Sequence, residues 1–99
     1  MSMHNPPHPG EFIEATYMEP FALSCRFLAT KLDVSASTLN RILKLKSGVS
    51  PEMALRLSRL FGNSPEFWLN LQRSVDLWEA EDSIKNEVQQ IKPLCANLS

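Results

Sequence analysis

Apolar residues recur at three- and four-residue intervals along most of this chain, and no stretch sustains the period-two alternation of a half-buried strand. The pattern predicts helices, and start and stop signals divide it into five. Pro9-Gly10-Glu11 opens a first helix carrying Phe12, Ile13 and Tyr17. Glu19-Pro20 is expected to end it, because the residue before a proline is pushed out of helical geometry. Ser24 reads as the N-cap of a second helix, with Leu23 and Leu28 at the two positions of a hydrophobic staple. The arrangement repeats at once with Val34, the cap Ser35, and Leu39. Ser50-Pro51-Glu52 and Gly62 bracket a fourth helix. Ser64-Pro65-Glu66 starts a fifth, which meets no obvious breaker before Pro93 and so forms a C-terminal helix over 64–92. The expected class is all-α, a compact five-helix bundle with an extended C-terminal helix, and 99 residues make one domain over 1–99.

The second and third helices carry the sharpest signal. Between Cys25 and Lys44, apolar residues fall at Leu28, Leu32, Val34, Leu39 and Ile42, and the small Ala29 sits where the two helices must cross closely. The turn is only Asp33-Val34-Ser35, and aspartate is among the few non-glycine residues that tolerate left-handed geometry. Spacing, small crossing residue and short turn together describe a helix-turn-helix over Ser24 to Lys46; the plainer alternative is an αα-hairpin without a DNA role. On the third helix Leu39, Ile42 and Leu43 face inward, while Ser35, Ala36, Ser37, Thr38, Asn40, Arg41, Lys44 and Lys46 face outward. Short or polar residues at the start of such a helix let its backbone approach base edges in the major groove. Asn40 can pair two-pronged with adenine and Arg41 with guanine, while Lys44 and Lys46 suit phosphates. On the second helix Arg26, and less strongly Lys31, could grip the backbone beside the groove. The candidate DNA-binding set is therefore Arg26, Ser35, Ser37, Thr38, Asn40, Arg41, Lys44 and Lys46, with simple solvation the competing role for each.

Charge changes the picture once it is divided. The formal total is −1, which by itself suits a nucleic-acid binder poorly. Residues 1–23 carry −3, residues 24–62 carry seven cations against two acids, and residues 63–99 carry three cations against six acids. A phosphate backbone would meet the basic middle, while both flanks repel it.

The C-terminal helix has two apolar faces. Trp68, Leu71, Val75 and Trp78 follow a 3-4-3 spacing and read as core packing. Leu77, Ile84, Val88 and Ile91 form a second stripe that a small bundle has little surface left to bury. This stripe is the expected dimer or partner face, with the segment around Phe12 and Tyr17 as the fallback.

Other chemistry is sparse. His4 and His8 flank a proline-rich segment, expected to be an exposed or lightly packed arm, and offer no metal site. The three glycines form no phosphate-cradling loop, and no motif suggests catalysis, so neither an enzyme nor a cofactor is expected. Cys25 and Cys95 lack zinc-type spacing and read as free thiols. The N-terminus has no secretion-signal pattern, and no apolar run approaches the roughly 18 residues of a membrane span, so a cytoplasmic location is expected.

HPGE (His8 to Glu11), the helix-turn-helix, and SPEFWLNLQ (Ser64 to Gln72) together resemble the HigA/VapI-type antitoxins, of the phage-repressor-like (XRE) helix-turn-helix group, over about residues 6–82. The resemblance implies a phage-repressor-like fold and a dimeric antitoxin that binds a small ribonuclease toxin and represses its own operon. The implied partners are double-stranded DNA with a palindromic operator, a cognate toxin and a second copy of the chain. Asp33 stands where the family's turn usually has glycine, and the match weakens after about Ala80. A stand-alone transcription regulator without a toxin is the alternative. An RNA-binding or purely protein-binding adaptor is weaker, because the basic residues cluster on the recognition helix.

Overall fold

A computed structural model describes residues 5–94, so His4 and Cys95 lie outside the described residues. All regular structure among these residues is helical: α1 (Pro9–Ile13), a π-helical segment (Glu14–Met18), α2 (Glu19–Phe21), α3 (Cys25–Leu32), α4 (Ala36–Leu43), α5 (Pro51–Phe61), α6 (Pro65–Ser83) and α7 (Lys85–Gln89). The expected five helices are recognisable, with boundaries changed at Pro20 and Ile84 and with the last helix ending at Gln89 and not at 92, so that Ile91 lies beyond it.

The first change is at Pro20, which does not end the first helix. Glu19 stays in right-handed helical geometry, and the chain runs on to a left-handed cap at Ala22. The π-helical turn just upstream explains this. Glu19 N–H donates to Glu14 O, five residues back, so the register has already widened where proline lacks a donor and its ring crowds the preceding turn. The second change is at Ile84, whose φ of −118° breaks the C-terminal helix into α6 and α7. Asp82, Ser83 and Ile84 are three weak helix formers in succession, and no tertiary packing holds them straight because every residue from Glu79 to Leu94 is exposed.

The serine caps stand as expected. Ser24, Ser35, Ser50 and Ser64 each accept, through the side chain, the N–H of the residue three positions on. His8 does the same job for α1 and is therefore no loose arm. Its Nδ1 accepts Gly10 N–H at 2.9 Å while Glu11 Oε1 accepts His8 N–H at 3.0 Å, a reciprocal cap that accounts for the histidine and the glutamate of HPGE. The glycine of that motif answers a close approach. A Cβ on Gly10 would lie 2.1 Å from Ile42 O, so α1 rests directly on the backbone of α4.

The core contains Ile13, Met18, Leu28, Ala29, Leu32, Leu39, Ile42, Val49, Met53, Ala54, Leu57 and Trp68. Trp68 is fully buried, as its place in the 3-4-3 stripe predicts, with Val75 buried and Leu71 and Trp78 half-buried on the same helix. Phe12, Phe61 and Phe67 pack around its indole, and Tyr17 stacks on Phe61 at 3.7 Å. The far end of α6 and all of α7 leave this body. The molecule measures 53 × 22 × 22 Å, and its radius of gyration, 16.9 Å, exceeds the roughly 12 Å of a compact domain of this length.

Candidate nucleic-acid interface

The interface is built around the turn between α3 and α4. Asp33 adopts the left-handed conformation there, with φ 60° and ψ 44°. Val34 N–H donates to Ala29 O and Asp33 N–H to Thr30 O, a Schellman closure of α3. Ser35 then caps α4 through Thr38 N–H at 3.0 Å, and its hydroxyl also donates to Thr38 Oγ1 at 2.8 Å. Ala29, 2% exposed, fills the crossing.

These bonds set α4 with Leu39 and Ile42 buried and Leu43 half-buried. Ser35, Ala36, Ser37, Thr38, Asn40, Arg41, Lys44 and Lys46 are all exposed on its other side and in the loop that follows. Among the described residues, the side chains of Ser37, Asn40, Arg41, Lys44 and Lys46 make no hydrogen bond or ion pair within the chain. Ser35 differs, because its hydroxyl is engaged as a cap. Cys25 Sγ lies 3.6 Å from Ala36 O, which brings the first turns of α3 and α4 together; Arg26, the next residue, is exposed. Cys25 itself is a free thiol.

The basic middle is not one patch. Arg41 lies on α4 and Lys44 and Lys46 follow directly after it. Lys31 lies over the Phe27 ring at 5.4 Å and, with Arg56 and Arg59, lines a recess between α3 and α5 together with Leu32, Leu55 and Leu60. Lys31 therefore lies on the α3–α5 side of the domain. Arg56 is partly committed as well: its Nη1 donates to Leu32 O at 3.0 Å and Asp33 O at 3.2 Å.

A solvent-facing helix with short residues at its start, a free Asn-Arg pair and trailing lysines has the chemistry to enter a major groove between two phosphate strands. Comparisons with known proteins agree. A family model described as helix-turn-helix (HTH_3) matches residues 17–68. Antitoxin HigA-1 of Vibrio cholerae is 33% identical over 90 residues, covering 90% of this chain and 84% of the relative. The solved structure of Pseudomonas aeruginosa PA4674 with its 18-base-pair operator DNA superposes with a TM-score of 0.88 at 38% identity, covering 96% of this chain and all of that one. The Pseudomonas aeruginosa antitoxin HigA with the higBA promoter gives 0.86 and 38%, with 91% and 99% covered. This chain belongs to the helix-turn-helix family, in its HigA-type group. That family is one of DNA-binding regulators and antitoxins and is not enzymatic. No helix of the described residues is long and apolar enough to cross a membrane.

Within a member of this group, two residues that spacing did not single out support the reading helix. Arg56 on α5 holds the two carbonyls at the end of α3, and so holds the turn from behind. Gln72 on α6 accepts Val49 N–H through Oε1 at 2.8 Å and so reaches the loop that follows α4. Both contacts join residues more than twenty positions apart, and neither has a local signature.

Proposed function

We infer that this chain is the antitoxin of a type II toxin–antitoxin pair: it binds a palindromic operator as a dimer, represses its own operon and neutralises a small ribonuclease toxin by direct contact. The observation that carries the DNA half is the uncommitted polar face of α4, flanked by Arg26 at one end and Lys44 and Lys46 at the other. The toxin half is supported by kinship with proteins named HigA antitoxins. A regulator at work on DNA belongs in the cytoplasm. The face for self-association is the second apolar stripe, because Leu77, Ile84, Val88 and Ile91 are all exposed in the single chain. It lies in the acidic third, away from α4, where Glu81, Asp82 and Glu87 would rim the contact and keep that end off phosphate.

Co-expression tests the assignment. The product of the reading frame beside this gene, expressed alone, is expected to halt growth, and this chain is expected to restore growth and to co-purify with it. A harmless neighbour, or one that this chain neither rescues nor binds, would favour a stand-alone regulator; a relative from Haemophilus influenzae that is 36% identical over 95 residues is named an HTH-type transcriptional regulator.

Two results bear on the contacts. Arg41→Ala is expected to weaken operator binding by about 1–3 kcal/mol and to relax preference at one base position, with the fold intact. Equal weakening on operator and unrelated DNA would make Arg41 a phosphate contact instead. Arg26, Lys44 and Lys46 in each subunit of a dimer would neutralise about six phosphates, so log K against log salt should fall with a slope of roughly −5. A slope near zero would remove DNA binding from the account altogether.

A further inference from the structure

The last residue of SPEFWLNLQ belongs neither to the helix start at Ser64-Pro65-Glu66 nor to the apolar face of α6. Gln72 is half-buried on α6, and its amide is held at both ends. Oε1 accepts Val49 N–H at 2.8 Å, and Nε2 donates to Asp76 Oδ1, one turn further along the helix, at 2.9 Å. The Asp76 bond orients the amide, because only the oxygen can then face the Val49 N–H. The loop fits closely against this group: a Cβ on Gly48 would lie 2.8 Å from Gln72 Cδ.

The segment so held is the chain's exit from α4. It begins at Lys44, the C-cap of α4, and turns at Leu45 in left-handed geometry, φ 62°, closed by Lys46 N–H on Arg41 O at 2.8 Å. It carries the exposed Lys44 and Lys46, buries Val49 and ends at Ser50, the cap of α5. Among the described residues, the Gln72 bond is the one side-chain hydrogen bond that reaches residues 44–49 from another element. Without it Val49 N–H would face a half-buried site unpaired, and the loop would be free to drift from α6.

We propose that Gln72 is a positioning residue for DNA binding, which locks the Lys44–Ser50 loop onto α6 so that Lys46 meets the phosphate backbone in fixed register with the α4 reading face. Gln72 touches no DNA and acts only through the loop. The role rests on the inferred DNA-facing role of α4 and this loop, and the variants below separate the two.

The experiment measures operator affinity and its salt dependence for the full chain. Lys46→Ala tests the underlying contact and should weaken binding about tenfold, with the slope of log K against log salt shallower by about 1 per subunit. If Lys46→Ala changes neither quantity, the loop does not touch phosphate and both the contact and the positioning role fall. With that contact established, Gln72→Ala should reproduce the loss of affinity and the shallower slope, and Gln72→Ala with Lys46→Ala should be no weaker than either single variant by more than about twofold. Gln72→Met, which keeps the stem over Gly48 without the acceptor, serves the same purpose if the alanine variant fails to fold. The exchange Gln72→Glu with Asp76→Asn keeps an acceptor for Val49 N–H and a hydrogen bond between the side chains, so it should restore wild-type affinity and slope. A Gln72 variant that lowers only the melting temperature, or whose loss adds fully to that of Lys46→Ala, would overturn the proposal and leave Gln72 a packing residue.

Discussion

Trp68→Ala is expected to destabilise the fold by about 3–5 kcal/mol. The indole is fully buried and forms the hub of the aromatic cluster, with Phe12, Phe67 and Phe61 packed at centroid distances of 5.6, 5.2 and 6.1 Å. Its Nε1 donates to Asn63 Oδ1 at 2.7 Å, so truncation both opens a cavity and strips that acceptor of its partner. The cluster joins α1, α5 and α6, which cannot close over the gap without moving relative to one another. For a domain of this size the loss corresponds to a melting temperature lower by roughly 15–30 °C, a large share of a total stability of about 5–15 kcal/mol. Thermal unfolding followed by circular dichroism reads it directly. An unchanged melting temperature together with lost partner binding would make Trp68 a functional aromatic and not a core residue.

Ile84→Glu combined with Val88→Glu is expected to yield a folded monomer that binds the operator about a hundred- to ten-thousand-fold more weakly. Ile84 and Val88 are 46% and 50% exposed in the single chain, so the fold does not need them. They border the α6–α7 junction, where Trp78, Glu81, Asp82, Lys85, Val88 and Gln89 line an open recess of about 430 Å³. Four carboxylates brought together across a two-fold interface would oppose its closure, with Glu81, Asp82 and Glu87 already nearby. One recognition helix covers only a few base pairs. A dimer sets two of them about 34 Å apart, and the second half-site then binds at high effective concentration. Light scattering reports the subunit count and a mobility-shift titration the affinity. If the double variant remains a dimer, the interface lies elsewhere. The segment around Phe12 and Tyr17 is then a poor substitute, because both rings are half-buried in the aromatic cluster. The exposed Phe27, Leu55 and Leu60 would be the surface to examine.

How much of this was legible in the chain depends on the range of the interaction. The serine at each N-cap satisfies an N–H three residues away, and Asp33 closes its turn with bonds to Ala29 and Thr30; such contacts are made within one turn of backbone. The buried side of each helix follows from 3.6-residue periodicity, which is why Leu39, Ile42, Trp68 and Val75 are inside and Asn40, Arg41 and Lys44 outside. The candidate reading face was legible for the same reason, since it is the complement of a buried stripe on one helix.

The local rules failed in two instructive places. Proline at position 20 predicted a stop, but a widened turn had already shifted the hydrogen-bond register before it. The long apolar repeat after Ser64 predicted an unbroken helix, but periodicity says nothing of whether a partner element lies alongside to keep it straight past Ser83. The capping role of His8 was not legible in the chain, because an imidazole is a less familiar cap than a serine hydroxyl.

The amino-acid sequence by itself determined the helices, their caps, the turn at Asp33 and the outward face of α4, because each depends on residues within a few positions of one another. Only the tertiary structure decided that Lys31, Arg56 and Arg59 line the α3–α5 recess, that Arg56 holds the end of α3, and that Gln72 holds the loop after α4. Those arrangements depend on the angles at which α5 and α6 cross the helix-turn-helix. Such angles are set by the summed packing of side chains such as Ile13, Leu57 and Trp68, and a hydrogen bond across 23 or 24 positions forms only where that packing brings its two ends within 3 Å or so.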